Sequence, residues 1–174
     1  MLSLDALANW ELAVLASIRG AKGTIEQRDA QITRSGMYAE YPAIIGAYIE
    51  LAEASDKPET RLEALKRGIF LAWYSFNALS VESGISELSE TTVRSLMQFL
   101  DRVLGTGTGD DELRAMLAWY RDTFGYPFEY FGPVRSLDPF IRDVTSADAR
   151  AMLATSRFAG RGQLGTYWSA VLKG

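Results

Sequence analysis

A chain of 174 residues that is 48% hydrophobic and 23% charged can bury a core of its own and is not disordered as a whole, which suits one domain over residues 1–174. Its net charge of -4 argues against a nucleic-acid binder, which needs a dense basic face to neutralise phosphates. With neither cysteine nor histidine, it has no disulfide, no thiol or Ser-His-Asp nucleophile, none of the usual zinc ligand sets and no Glu-x-x-His di-iron ligands.

The opening LSLDALANWELAVLASI carries Asp5 and Glu11 among its apolar residues and no basic residue ahead of them, unlike a secretory leader. Together with the missing cysteines this predicts a cytoplasmic protein. The spacing predicts a first helix over residues 4–18, with Leu4, Leu7, Ala8, Leu15 and Ile18 on one face and Ser3 as its cap. At about 100° per residue, Glu11 falls inside that face, between Leu7 and Leu15. Either its carboxylate escapes to solvent or an arginine, or it is buried with a shifted pKa, as functional carboxylates often are. An unpaired buried charge is too costly to keep, so a partner is expected.

Gly20 and Gly23 end this helix, and Thr24-x-x-Gln27 forms a capping box for a second. That second helix, to about Ser35, has only Ile25 and Ile32 as large apolar residues and should be exposed or loosely held. Tyr41-Pro42 starts a third, whose inner face is Ile44, Ile45, Tyr48, Leu51 and Ala52. Asp56-Lys57-Pro58 turns the chain into the stretch that dominates it. From Gly68 to Val81, within residues 59–82, fourteen residues carry no charge. A helix apolar around its circumference needs neighbours on every side, and this one is short of the ~20 residues of a membrane span. It is therefore predicted to be the central helix, with Phe70, Trp73 and Phe76 buried.

Ser89 caps the next helix, where Val93, Leu96, Met97, Leu100, Val103 and Leu104 make one stripe and Glu90 pairs with Arg94 outside it. Gly105 to Gly109 is a flexible break. Asp110, Asp111 and Glu112 then favour the start of a helix whose inner face is Leu113, Met116, Leu117, Tyr120 and Phe124. Between Gly125 and Pro139, three prolines and two glycines argue for a long aromatic loop. Asp138-Pro139 opens a short helical turn, Ser146 caps a helix to about Phe158, and Gly160 to Gly162 break it. Leu164, Tyr167, Trp168, Val171 and Leu172 form a closing stripe. The expected fold is all-α, a compact irregular bundle of about seven to nine helices around residues 59–82. The tetrapeptide LAWY recurs at Leu71 and Leu117, 46 residues apart, which leaves a short HEAT-like array of helical pairs as the alternative.

Several segments invite a chemical reading. Glu50/Glu53 and Glu87/Glu90 are Glu-x-x-Glu pairs similar to those that hold Mg²⁺ in all-α nucleotide pyrophosphohydrolases of the MazG type. The likeness implies a carboxylate-based, Mg-dependent enzyme, yet the following Glu-x-x-Asp is missing here. The glycines before Asp110 lack the Gly-Lys-Ser/Thr of a phosphate loop, and three acids there would repel an anion. Arg157 and Arg161 sit beside the start of the last helix and form the better candidate anion site. Seven aromatics crowd the thirteen residues from Trp119 to Phe131. They either pack beneath a loop or present a contact surface, with Trp119, Tyr126, Phe128, Tyr130 and Phe131 as its residues. A pocket beside the central helix would use Glu11, Tyr74 and Asn77 as its polar groups. The favoured expectation is a non-catalytic protein without cofactor or metal that binds a protein partner, a basic one being the concrete version. A small-ligand protein or carboxylate enzyme is the alternative.

Overall fold

The computed structural model describes residues 2–86 and 88–174; Met1 and Glu87, and with Glu87 one of the two Glu-x-x-Glu pairs, lie outside them. Local hydrogen bonds fix most helix starts. Ser3 Oγ accepts from the Ala6 N–H to open α1 (Leu4–Gly20), and Thr24 and Gln27 close a reciprocal capping box at α2 (Ile25–Arg34). Pro42 lies in the first turn of α3 (Glu40–Ala54), which follows a 3-10 turn at Met37–Ala39, and Pro58 begins α4 (Pro58–Ser75). Ser89 caps α6 (Glu90–Gly105) and Asp110 caps α7 (Asp111–Phe124). Thr145, rather than Ser146, caps α10 (Ser146–Leu153), because a capping box with Asp148 sets the boundary one residue earlier. That helix also ends at Leu153, short of the expected Phe158. α11 (Gly162–Val171) follows.

The fold is all-α. Eleven helices stand among the described residues, and the eight that are eight residues or longer match the expected seven to nine. The remainder are α5 (Ser80–Ser83), α8 (Tyr126–Tyr130) and α9 (Leu137–Phe140). The expectation of a non-helical loop from Gly125 to Pro139 is corrected by α8: Pro127 occupies its first turn, where the missing N–H costs nothing.

The central helix also needs correction. α4 stops at Ser75 and does not reach residue 82. The Ser75 hydroxyl donates back to the Ala72 carbonyl, and the Asn77 and Ala78 N–H groups both turn onto the Tyr74 carbonyl. The chain then extends through Leu79 before α5. The buried run accordingly lies earlier than the uncharged stretch: the ten consecutive residues from Ala64 to Trp73 are buried, Lys66 and Arg67 among them, while Pro58, Glu59 and Arg61 at the helix start are exposed. Phe70 and Trp73 are fully buried as expected, whereas Phe76 is half-buried and Leu79 is 62% exposed.

α4 packs against α3, α6, α7 and α11. The two LAWY segments meet across α4 and α7: the Trp73 ring stacks on Tyr120 at 4.5 Å, and its indole N–H donates to the Tyr120 and Phe124 carbonyls. This is a helix-to-helix contact within one bundle and not the register of an array. α1 packs on both α3 and α11, so the first and last helices touch. A linear stack of helical pairs keeps its ends apart. No helix among the described residues is long and apolar enough to cross a membrane.

Candidate functional site

The middle of α4 organises a polar cluster at the edge of this core, where Lys66, Arg67 and Arg161 are buried and Asp110 is exposed. Lys66 Nζ lies 2.7 Å from Asp110 and 2.9 Å from Glu112. Arg161 bridges Glu112 at 2.8 Å and Glu63 at 2.5 Å, and Glu63 also holds Arg67 at 2.6 Å. The Arg67 guanidinium reaches on to the Leu4 carbonyl. Three cations and three carboxylates thus alternate, which is the condition for burying charge at tolerable cost. Burial would raise the Glu112 carboxyl pKa, but hydrogen bonds and charge from Arg161 and Lys66 outweigh it and hold the group down to about 2.

Glu11 sits beside this cluster and is only 1% exposed. One carboxylate oxygen accepts from the Tyr48 hydroxyl at 2.5 Å and the other from the Gln163 backbone N–H at 2.8 Å. Burial pushes its pKa up to about 7, against the lowering effect of these hydrogen bonds and of Arg67. Burial and the adjacent Glu11 charge together push the Tyr48 hydroxyl upward, so it remains a donor. The Gln163 side chain donates to the Tyr41 hydroxyl and to the Ser83 carbonyl, tying α11 to α3 and α5. Gly162 allows the close approach: its φ is +59°, and a Cβ there would lie 2.5 Å from Glu11 Oε2.

Two separate features of the sequence therefore converge. The anion at the start of α11 is the chain's own Glu11 carboxylate, and Arg161 is spent on Glu63 and Glu112. Arg157 is exposed and has no part in these pairs. With both oxygens taken and almost no exposure, Glu11 is closed to a substrate, and its role here is structural.

The three proposed pocket groups are not brought together. Tyr74 lines an open depression of about 490 Å³ with Arg19, Lys22, Arg28 and Glu82. Glu11 is buried away from that lining, and Asn77 is exposed past the end of α4. Glu50 is exposed, Glu53 pairs with Arg102, and Glu90 pairs with Arg94. Among the described residues no three carboxylates converge as metal ligands.

The aromatic segment divides by helical phase. Phe128 and Phe131 are buried, and half-buried Trp119 donates its indole N–H to the Tyr167 hydroxyl. Tyr126 and Tyr130 are i,i+4 neighbours on the outer side of α8, 43% and 61% exposed, with rings stacked 5.0 Å apart at 19°. Phe76 and Phe131 support them from below: Phe76 lies 6.1 Å from Tyr126 and 5.2 Å from Phe131. Glu129, between the two tyrosines in sequence, is exposed and makes no ion pair among the described residues, while Arg121 is held by Asp122 and Asp138.

The chain matches no protein-family model, no curated protein and no solved structure.

Proposed function

We propose that this chain is a non-catalytic cytoplasmic protein that docks a protein partner through the Tyr126–Tyr130 face of α8. The stacked, exposed tyrosine pair carries this reading. Each ring is already ordered by its neighbour and by the phenylalanines beneath it, so little side-chain freedom is lost when a partner covers it. Preordered aromatic anchors of this kind contribute roughly 2 kcal/mol or more each at an interface. The free Glu129 carboxylate and the electron-rich ring faces favour a lysine- or arginine-bearing surface, and the net charge of -4 steers a basic protein, and not a nucleic acid, toward the chain. The closed Glu11 site offers nothing to support a carboxylate enzyme.

The test is co-purification of the tagged chain and of its Tyr126→Ser/Tyr130→Ser variant, followed by titration of the captured protein in purified form. The variant should keep its unfolding midpoint and lose capture, and Glu129→Gln should weaken binding and reduce its salt dependence. Undiminished capture by the double variant would refute the assignment. So would a collapse of its stability, which would make the rings part of the core.

A further inference from the structure

The depression around Tyr74 is a local exception to an acidic protein. It forms where the end of α1, the turn before α2, α2 itself, the end of α4 and α5 come together, and three cations, Arg19, Lys22 and Arg28, face a single carboxylate, Glu82. The negative end of α1 at Ala21 and the positive start of α2 beside Gly23 both abut it, and their partial charges offset one another. What remains is an excess of two positive charges.

These cations are poorly occupied by the protein. Arg28 is anchored by one guanidinium nitrogen, which donates to the Val81 carbonyl at 2.9 Å. Its other terminal nitrogen is 3.8 Å from Glu82, beyond hydrogen-bond reach. Arg19 and Lys22 make no ion pair among the described residues, although Arg67, Arg94, Arg102, Arg121 and Arg161 all do. The Tyr74 ring is fixed by stacking on Phe70 at 5.1 Å. Burial raises the Tyr74 pKa, and the hydroxyl stays a donor at neutral pH.

We propose that this depression binds a small phosphate monoester whose organic part is a polyol or sugar. Charge selects the phosphate: a monoester carries close to two negative charges above its second pKa near 6, which balances the local excess, whereas a carboxylate balances only half of it. The open shape of the depression leaves room beside the phosphate for an organic group. The lining selects a polar organic group. Apart from Ala21 and the tyrosine ring it offers no apolar surface for a lipid chain or a flat base, and Glu82 at the rim is an acceptor for hydroxyl groups. This site is independent of the tyrosine face of α8, and either can fail without the other.

Isothermal titration of the full chain with glucose 6-phosphate, inorganic phosphate and glucose separates the contributions. Glucose 6-phosphate should saturate with a millimolar or tighter Kd, at least about fivefold tighter than phosphate, and glucose should not bind. Arg19→Ala and Lys22→Ala, both at exposed positions, should each weaken it about five- to tenfold at an unchanged unfolding midpoint. Glu82→Gln should strengthen inorganic phosphate while narrowing the preference for the sugar ester. Affinity should fall as the pH drops below about 6 and the phosphate becomes a monoanion. No saturation by about 20 mM would overturn the proposal. So would binding indifferent to both substitutions, equal binding of phosphate and its ester, or capture by phosphatidic acid vesicles without binding of the soluble ester.

Discussion

Gly162→Ala tests the contact on which the first and last helices close. A residue with φ of +59° loses roughly 1–2 kcal/mol when it gains a side chain. The new methyl would also lie 2.5 Å from Glu11 Oε2 and 2.6 Å from the carboxyl carbon, closer than packed atoms come. The carboxylate must move, and it gives up the hydrogen bond from Gln163 N–H, a charge-assisted bond worth roughly 1.5–3 kcal/mol. The substitution should therefore cost roughly 2.5–5 kcal/mol in urea unfolding extrapolated to water. In a Glu11→Ala background the methyl has room, and only the backbone strain of about 1–2 kcal/mol should remain. The double-mutant cycle should thus give a coupling of about 1.5–3 kcal/mol between Glu11 and Gly162, 151 positions apart. Additive effects, or a single-variant cost below about 1.5 kcal/mol, would mean that Gly162 is not held by the carboxylate.

Glu11 also sets a pH dependence. Its folded pKa of about 7 lies above the ordinary 4.5, so the unfolded chain ionises first as the pH rises between these values. Its contribution is complete below about 4.5 and falls by roughly 3 kcal/mol by pH 7, and Glu11→Gln should flatten that slope in urea midpoints. Glu112, held at about 2, acts in the opposite sense over a separate window: its contribution is complete above 4.5 and is lost as the pH falls through 2, so Glu112→Gln should remove an acid-side decline. Trp73→Ala should cost roughly 3–5 kcal/mol, since it empties the centre of the α4–α7 contact; a midpoint near that of the wild type would contradict the packing. Tyr126→Ser/Tyr130→Ser should stay within about 1 kcal/mol of wild type in urea unfolding, whereas Phe128→Ser or Phe131→Ser should cost several kcal/mol by the same measurement.

The sequence shows most helices because their signals are local. The stripe from Val93 to Leu104 and the capping box at Thr24 each need only a few neighbouring residues to be read, whereas two adjacent capping residues, Thr145 and Ser146, leave the start of α10 open by one position. Glu11 is visible as a charge inside an apolar face. Its partners are not, since Tyr48 and Gln163 lie 37 and 152 residues away and carry no mark of their role. The ion cluster is hidden for the same reason. Lys66 and Arg67 look like the solvated flank of an uncharged run, and only the i,i+4 relation of Glu63 to Arg67 hints at pairing. The end of α4 is not legible in the sequence because Ser75 and Asn77 are tolerated inside helices, and their turn-forming hydrogen bonds become evident only with the backbone in view. Within the aromatic segment, composition indicates seven rings but not their phase on a five-residue helix, and phase decides which rings face out.

The meeting of α1 with α11 has a kinetic meaning. The entropy of closing a loop rises only slowly with its length, so a contact across 152 residues is affordable once the intervening helices have already drawn its two ends together. It is poorly placed to nucleate folding, for which α3 with α4 and α7 with α10 offer partners far closer along the chain. Interactions that form after the transition state govern how fast a native structure opens and leave its rate of formation largely unchanged. On this basis the Glu11–Gln163 contact determines the lifetime of the folded chain, and damage to it should appear first as faster unfolding and faster proteolysis at the exposed ends of α1 and α11.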